Sequence, residues 1–256
     1  MQSALLRAQL ETTLGERVSF PFTDIERRVW ECVSSGIPTL DAAIGGLPRG
    51  AIVEICGIPS SGRTTLGLSV LSAVCRREEV CALVDGTDAF DPESGAAAGI
   101  DMKRLLWVRC RNVDQVLRST DLLLQGGGFG AVALDLSDLP QKALHSVPLA
   151  TWFRFQRVIE NTPTILLLIV RESAAKSAAA LMLRTNLKKA DWTKSIGQPD
   201  HPGASRHPSF CKEGISAPSH GLLLANTFLD IEVLRIRHSE LRKPKVQHHV
   251  RLHSCS

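Results

Sequence analysis

No C-x-x-C pair occurs in the chain, and its seven cysteines are an odd number. A disulfide framework is thereby excluded as the organising device, and the reduced thiols of a cytoplasmic protein are expected instead. Cys56, Cys75, Cys81 and Cys110 fall inside apolar runs and read as small buried hydrophobes, not as ligands or nucleophiles. Long hydrophobic runs are also missing: the strongest, "TILLLIV", is far short of a bilayer span. The opening "MQSALLRAQLETTLGERV" carries acids early and has no unbroken apolar stretch, which argues against a secretory signal. Charge of one sign is scarce as well. The balance of 30 Lys and Arg against 26 Asp and Glu leaves +4, so a nucleic-acid partner would have to be served by clustering. What the chain does have is 44% hydrophobic and 22% charged residues over 256 positions, enough for one good core with a small appendage. A soluble cytoplasmic protein with no membrane partner is the expectation.

Leu5, Leu6, Ala8 and Leu10 fit a short amphipathic opening helix, and "GIPTLDAAIGGLPRG" brackets another helical segment with glycines and prolines. From Ala51 the pattern alternates regularly. "AIVEICG", "VCALVDG", "LLWVRC", "AVALDL" and "TILLLIV" read as strands. Between them "GRTTLGLSVLSAVCRRE", "VDQVLRSTDLLLQGGG" and "PLATWFRFQRVIENT" read as helices, and "DPESGAAAGI" as a turn with a short helix. Continuous apolarity in the strands implies a sheet covered on both faces, an α/β fold. "RESAAKSAAALMLRTN" predicts a further helix. Residues 191–221, rich in Pro, Gly, Ser and His, predict a long loop. "LLLANTFLDIEVLRIRHSEL" predicts late antiparallel strands, and "RKPKVQHHVRLHSCS" a frayed basic tail. The expected organisation is a lead-in over 1–35, a core over 36–190, the loop over 191–221 and terminal strands with the tail over 222–256.

The segment "EICGIPSSGRTTLGL" carries the chemistry. Gly57 and Gly62, separated by four residues and followed by Arg63, Thr64 and Thr65, lie between a predicted strand and a predicted helix. Glycines there let the backbone turn so that successive N–H groups meet phosphate oxygens at the helix start. Gly57, Ser60, Ser61, Gly62, Arg63, Thr64 and Thr65 are the expected nucleotide contacts, with the Thr64 hydroxyl on Mg²⁺. Asp135, closing the strand "AVALD", has the position of an acid that holds Mg²⁺ through water. Arg63 stands where the phosphate-loop pattern has lysine; a planar fork must approach phosphate bidentately and from another distance. A structural turn that binds no nucleotide is the competing reading.

With these residues in place the chain resembles the RecA recombinase family. The likeness runs from Gly36 to Leu139 through "GIPTLDAAIGGLPRGAIVEICGIPSSGRTTL", "CALVDGTDAFDP", "GIDMKRLLWV" and "AVALDLSDL", and weakens towards Val170. In its shortness the chain is similar to the ImuA-like (SulA-related) members that accompany mutagenic DNA repair in bacteria. The resemblance implies a RecA-like P-loop NTPase core, a mostly parallel sheet covered by helices, binding ATP with Mg²⁺. It further implies single-stranded DNA and a recombinase or translesion polymerase subunit as partners.

Against the family pattern, three positions depart. The loop lysine is Arg63. The glutamate that activates water is matched by Thr87; Asp85 and Asp88 lie nearby as substitute bases, Asp88 only if the loop shifts. The γ-phosphate-sensing glutamine is absent from "TILLLIVRES", where Arg171 and Glu172 stand. For DNA, Lys176, Arg184, Lys188 and Lys189 form a modest basic stripe, equally readable as a solvated helix face. Arg235, Arg237, Arg242, Lys243, Lys245 and Arg251 form a second cluster opposed only by Glu240. His248, His249 and His253 have no acids or cysteines spaced to complete a metal site. Three functions stay open: an ATP-binding accessory protein of DNA repair and SOS mutagenesis with weak or absent hydrolysis, an active DNA-dependent ATPase, and a scaffold that binds no nucleotide.

Overall fold

The computed structural model describes residues 30–194, 222–237 and 248–253. The opening helix, Cys211, Cys255, the loop over 195–221 and Arg242, Lys243 and Lys245 lie outside them. A small antiparallel ribbon, β1 (Cys32–Val33) with β2 (Leu47–Pro48), flanks α1 (Pro38–Ile44). Proline at the start of α1 supplies a preset φ where no N–H is needed, and Gly45 ends it at φ 77°.

The main sheet has eight strands. In chain order they are β3 (Ala51–Cys56), β4 (Cys81–Asp85), β5 (Leu105–Arg109), β6 (Ala131–Asp135), β7 (Ile165–Val170), β8 (Leu181–Lys194), β9 (Leu222–Ile236) and β10 (His248–His253). Across the sheet the order is β5-β4-β6-β7-β3-β8-β9-β10. β5 to β8 in that spatial order run parallel, while β9 and β10 are antiparallel. This is the helix-covered α/β architecture that the continuous apolar runs imply, with late antiparallel strands.

Alternation along each strand divides its side chains between two cores. Val53, Ile55, Leu83, Ala133, Leu167 and Ile169 join α2 (Arg63–Arg76) on one face. Ile52, Val84, Val132, Leu134, Leu166 and Leu168 join α4 (Val113–Gly126) and α6 (Leu149–Ile159) on the other. α2 buries Leu66, Gly67, Val70, Leu71 and Val74, one stripe of a 3.6-residue period. At Gly67 an added Cβ would come within 2.4 Å of Ile169, so glycine is what lets the helix lie close to β7. Short helices α3 (Pro92–Ala97) and α5 (Gln141–His145) complete the crossovers.

Several expectations are corrected. Arg171–Asn186 is not a helix: one 3₁₀ turn, Lys176–Ala178, leads into β8. Alanine favours helix locally, but Val53 to Cys56 of β3 offer a ladder to Leu181–Arg184, and tertiary pairing overrides the local preference. Leu183 and Thr185 turn inward while Arg184, Asn186 and Lys188 are exposed, the period of a strand. Arg184, Lys188 and Lys189 of the basic stripe therefore lie on a strand and not on a helix face, while Lys176 opens the 3₁₀ turn. β8 also continues to Lys194, so Asp191–Lys194 belong to the sheet and not to a loop. Nor is the whole tail frayed, because His248–His253 pairs with Asn226–Ile231 of β9.

Candidate functional site

Parallel strands aligned in register bring their C-terminal ends to one edge, which is where open α/β sheets collect ligands. Cys56 pairs with Val170, Asp135 with Ile169, and Asp85 with Asp135, so the loops after β3, β4, β6 and β7 share that edge. Gly57 through Gly62 join β3 to α2, as the sequence spacing requires.

Both glycines are fixed by sterics. A Cβ at Gly57 would lie 2.3 Å from Ser61 Oγ and 2.7 Å from Thr185 Oγ1, and one at Gly62 would lie 2.2 Å from Leu229 Cδ2. Gly62 also sits at φ 85° and forms the N-cap of α2 with no side-chain cap. The first-turn amides of a helix have no intrahelical acceptor, so Arg63, Thr64 and Thr65 present N–H groups together with the positive end of the helix dipole. Thr64 and Thr65 are exposed on the helix start or close beside it, Thr65 and Leu66 marking where burial alternates. Ser61 is buried and its hydroxyl is 2.9 Å from Thr185 Oγ1, whereas Ser60 is exposed at the loop tip with φ 61°. Ser60 holds a left-handed conformation that a non-glycine residue adopts at a cost of roughly 1–2 kcal/mol.

Arg63 does not reach outward. Its side chain is folded against the loop and 6% exposed. Nη1 donates to the Gly57 carbonyl, Nε to Ser137 Oγ at 3.1 Å, and Nη2 to the Ser137 carbonyl and to Asp138 Oδ1, both at 3.4 Å. The cation thus bridges its own loop to the segment that follows β6.

Asp135 lies at the end of β6, 8% exposed, its Oδ1 accepting from the Ser137 amide at 3.0 Å. Burial pushes its carboxyl above the usual range, the Ser137 hydrogen bonds oppose this, and the neighbouring Asp85 and Asp138 charges add to it. A buried acid with this tendency is suited to a cation that holds it ionised.

The residues after β4 have other work. Asp85 is fully buried and accepts from the amides of Thr87, Ala89 and Phe90 and from Trp107 Nε1, which leaves it as the anchor of that loop. Asp88, at φ 57°, pairs with the Arg109 guanidinium over the exposed end of β5. Hydrogen bonding from Arg109 holds its carboxyl below the usual carboxylate range, which weakens it as a base. Thr87 Oγ1 is shielded from solvent and makes no hydrogen bond among the described residues. After β7, Arg171 and Glu172 are exposed, and Glu172 lies 3.7 Å from His145.

Some of the contributors carried no local signal. Thr185 and Leu229 press on the loop from β8 and β9, far along the chain. Ser137 and Asp138 directly follow the strand of Asp135, and that proximity was the signal for them. Glu54 is another: fully buried in β3, it accepts from Ser173 Oγ and from the amides of Ala174 and Ala175, and so ties the turn after β7 to the strand of the loop. In the second basic cluster, Arg235 donates to the Lys176 carbonyl at 2.6 Å, so it braces that same turn. No helix among the described residues is long and apolar enough to cross a membrane.

A family model described as the RecA N-terminal domain matches residues 2–142. Protein RecA of Acinetobacter baumannii (strain ATCC 17978) is 35% identical over 137 residues, covering 53% of this chain and 39% of the relative. Protein RecA of Pseudomonas putida is 37% identical over 129 residues, 50% of this chain and 36% of the relative. Protein RecA of Haemophilus ducreyi is 39% identical over 130 residues, 50% and 35% respectively. The match therefore spans well under half the length of these relatives.

Proposed function

Because the chain belongs to the RecA family, we propose that it is an ATP-binding accessory protein of DNA repair, with weak or absent hydrolysis. The observation that carries this reading is the turn from Gly57 to Thr65, whose glycines are sterically obligatory and whose end opens onto the unpaired first-turn amides of α2. The residues present fit a magnesium nucleotide. The amides of Gly62, Arg63, Thr64 and Thr65 would take the phosphate oxygens, the Thr64 hydroxyl the metal, and Asp135 its hydration shell. Bound Mg²⁺ would offset the charge on the terminal phosphates.

The machinery for turnover is thinner. Thr87 carries no proton-accepting group of useful basicity, Asp88 is paired with Arg109, and Asp85 is committed to three amides and an indole. Without a positioned base, a general-base contribution of about 10²–10⁴-fold is lost. Such a subunit fits a role in which nucleotide binding, not turnover, sets the protein's association with a recombinase or a translesion polymerase subunit in SOS mutagenesis.

Titration with a fluorescent ATP analogue and Mg²⁺ tests the reading. Saturable binding that Arg63→Ala weakens is expected, and no binding at millimolar analogue sinks it. Steady-state hydrolysis, with and without single-stranded DNA, should stay far below that of a working recombinase. The double variant Arg63→Lys with Thr87→Glu should raise it. A second reading, a scaffold that binds no nucleotide, is favoured by one observation: the Arg63 side chain is turned into the loop.

A further inference from the structure

We infer that Asp138 is an affinity-setting residue of the loop, a latch that competes with phosphate for the Arg63 guanidinium. The inference rests on the reading of residues 57–65 as a nucleotide site.

Arg63 is almost fully buried, and Gly57, Ser137 and Asp138 together engage most of its N–H donors. Arginine holds phosphate best through a fork of two parallel N–H bonds. Here the outer side of that fork, Nη2, is shared between the Ser137 carbonyl and the Asp138 carboxylate. A bidentate phosphate contact therefore requires Nη2 to leave Asp138. The carboxylate can be displaced because its own side chain is 64% exposed, so solvent receives it when the pair opens. The other contacts of Arg63 lie deeper and can stay, which leaves the loop closed around the Gly57 carbonyl. In this arrangement Asp138 lowers nucleotide affinity and shields a buried cation whenever the loop is empty. Lysine would be held less by this latch, since its three donors rotate about a compact point charge and can meet phosphate without first clearing one edge of a rigid planar fork.

The test is titration of the full chain with the fluorescent ATP analogue and Mg²⁺ at fixed salt, for wild type, Asp138→Asn, Arg63→Lys and the double variant. Asp138→Asn should tighten binding about tenfold in the wild-type background, the scale of one charge-assisted hydrogen bond. The gain should shrink to less than about twofold in the Arg63→Lys background, because the fork has gone. Equal gains in both backgrounds would mean that any nearby negative charge repels phosphate, and the latch would be overturned. No gain in either background overturns it too. Absence of binding in all four proteins takes down the nucleotide reading itself, a result distinct from failure of the latch alone. Chemical denaturation of each variant, with unchanged cooperativity, shows that the comparison is made between folded proteins.

Discussion

At the scale of single residues the loop is a set of close approaches. Gly62 combines a left-handed backbone with a clash at Leu229, so Gly62→Ala should destabilise the fold by about 1–3 kcal/mol, measured as a lower midpoint in urea. Thr87→Val should do the reverse. Its hydroxyl is buried without a partner among the described residues, and replacing it by an isosteric methyl should leave stability unchanged or raise it by about 1 kcal/mol. A clear loss on Thr87→Val would mean that this hydroxyl has a partner in solution. The glycine pattern is legible in the sequence as a local motif, and Thr87 is legible by likeness to the family's strand-end stretch. The placement of Arg63 is not legible, because it depends on Ser137 and Asp138, which a whole βαβαβ passage separates from it.

At the scale of elements, β3 carries more than the loop. Glu54 in its middle holds the turn between β7 and β8, and burial pushes its carboxyl upward, with the Ala174, Ser173 and Ala175 hydrogen bonds opposing. A raised folded value means that the native state binds this proton more tightly than the unfolded chain does. The resulting stability is complete below the ordinary glutamate range and is lost as pH rises through the raised value. Glu54→Gln removes that titration, so its stability relative to wild type should increase from acid to neutral pH in paired urea denaturations. A constant difference across the range would show that Glu54 holds its proton no more tightly in the folded chain than in the unfolded one. The five-residue α5 lies in a segment to which the sequence assigned no element, whereas the five strands from β3 to β7 and the helices α2, α4 and α6 follow from periodicity, since each is a strong local pattern. β8 does not, because "SAAALMLRTN" favours helix until β3 and β9 supply its ladder partners.

For the whole molecule, the late strands form one wall of the loop as well as extending the sheet. Leu229 of β9 is fully buried against Gly62, and Thr185 of β8 is bonded to Ser61. Leu229→Ala should cost about 2–5 kcal/mol through the cavity it leaves. It should also weaken binding of the nucleotide analogue at temperatures where the variant is fully folded. Weakened stability with unchanged affinity would separate the strands from the site.

By itself the sequence determined the α/β class, the spacing of Gly57 and Gly62, and the strand-end Asp135, since each is written in residues close together along the chain; Thr87 stood out only by likeness to the family. Only the tertiary structure decided that Arg63 lies folded between Gly57 and Asp138, that Asp88 is spent on Arg109, and that β8 is a strand. Those outcomes turn on which distant groups compete for one guanidinium, one carboxylate or one open sheet edge, and neighbourhood along the chain does not say which partner the fold brings within reach.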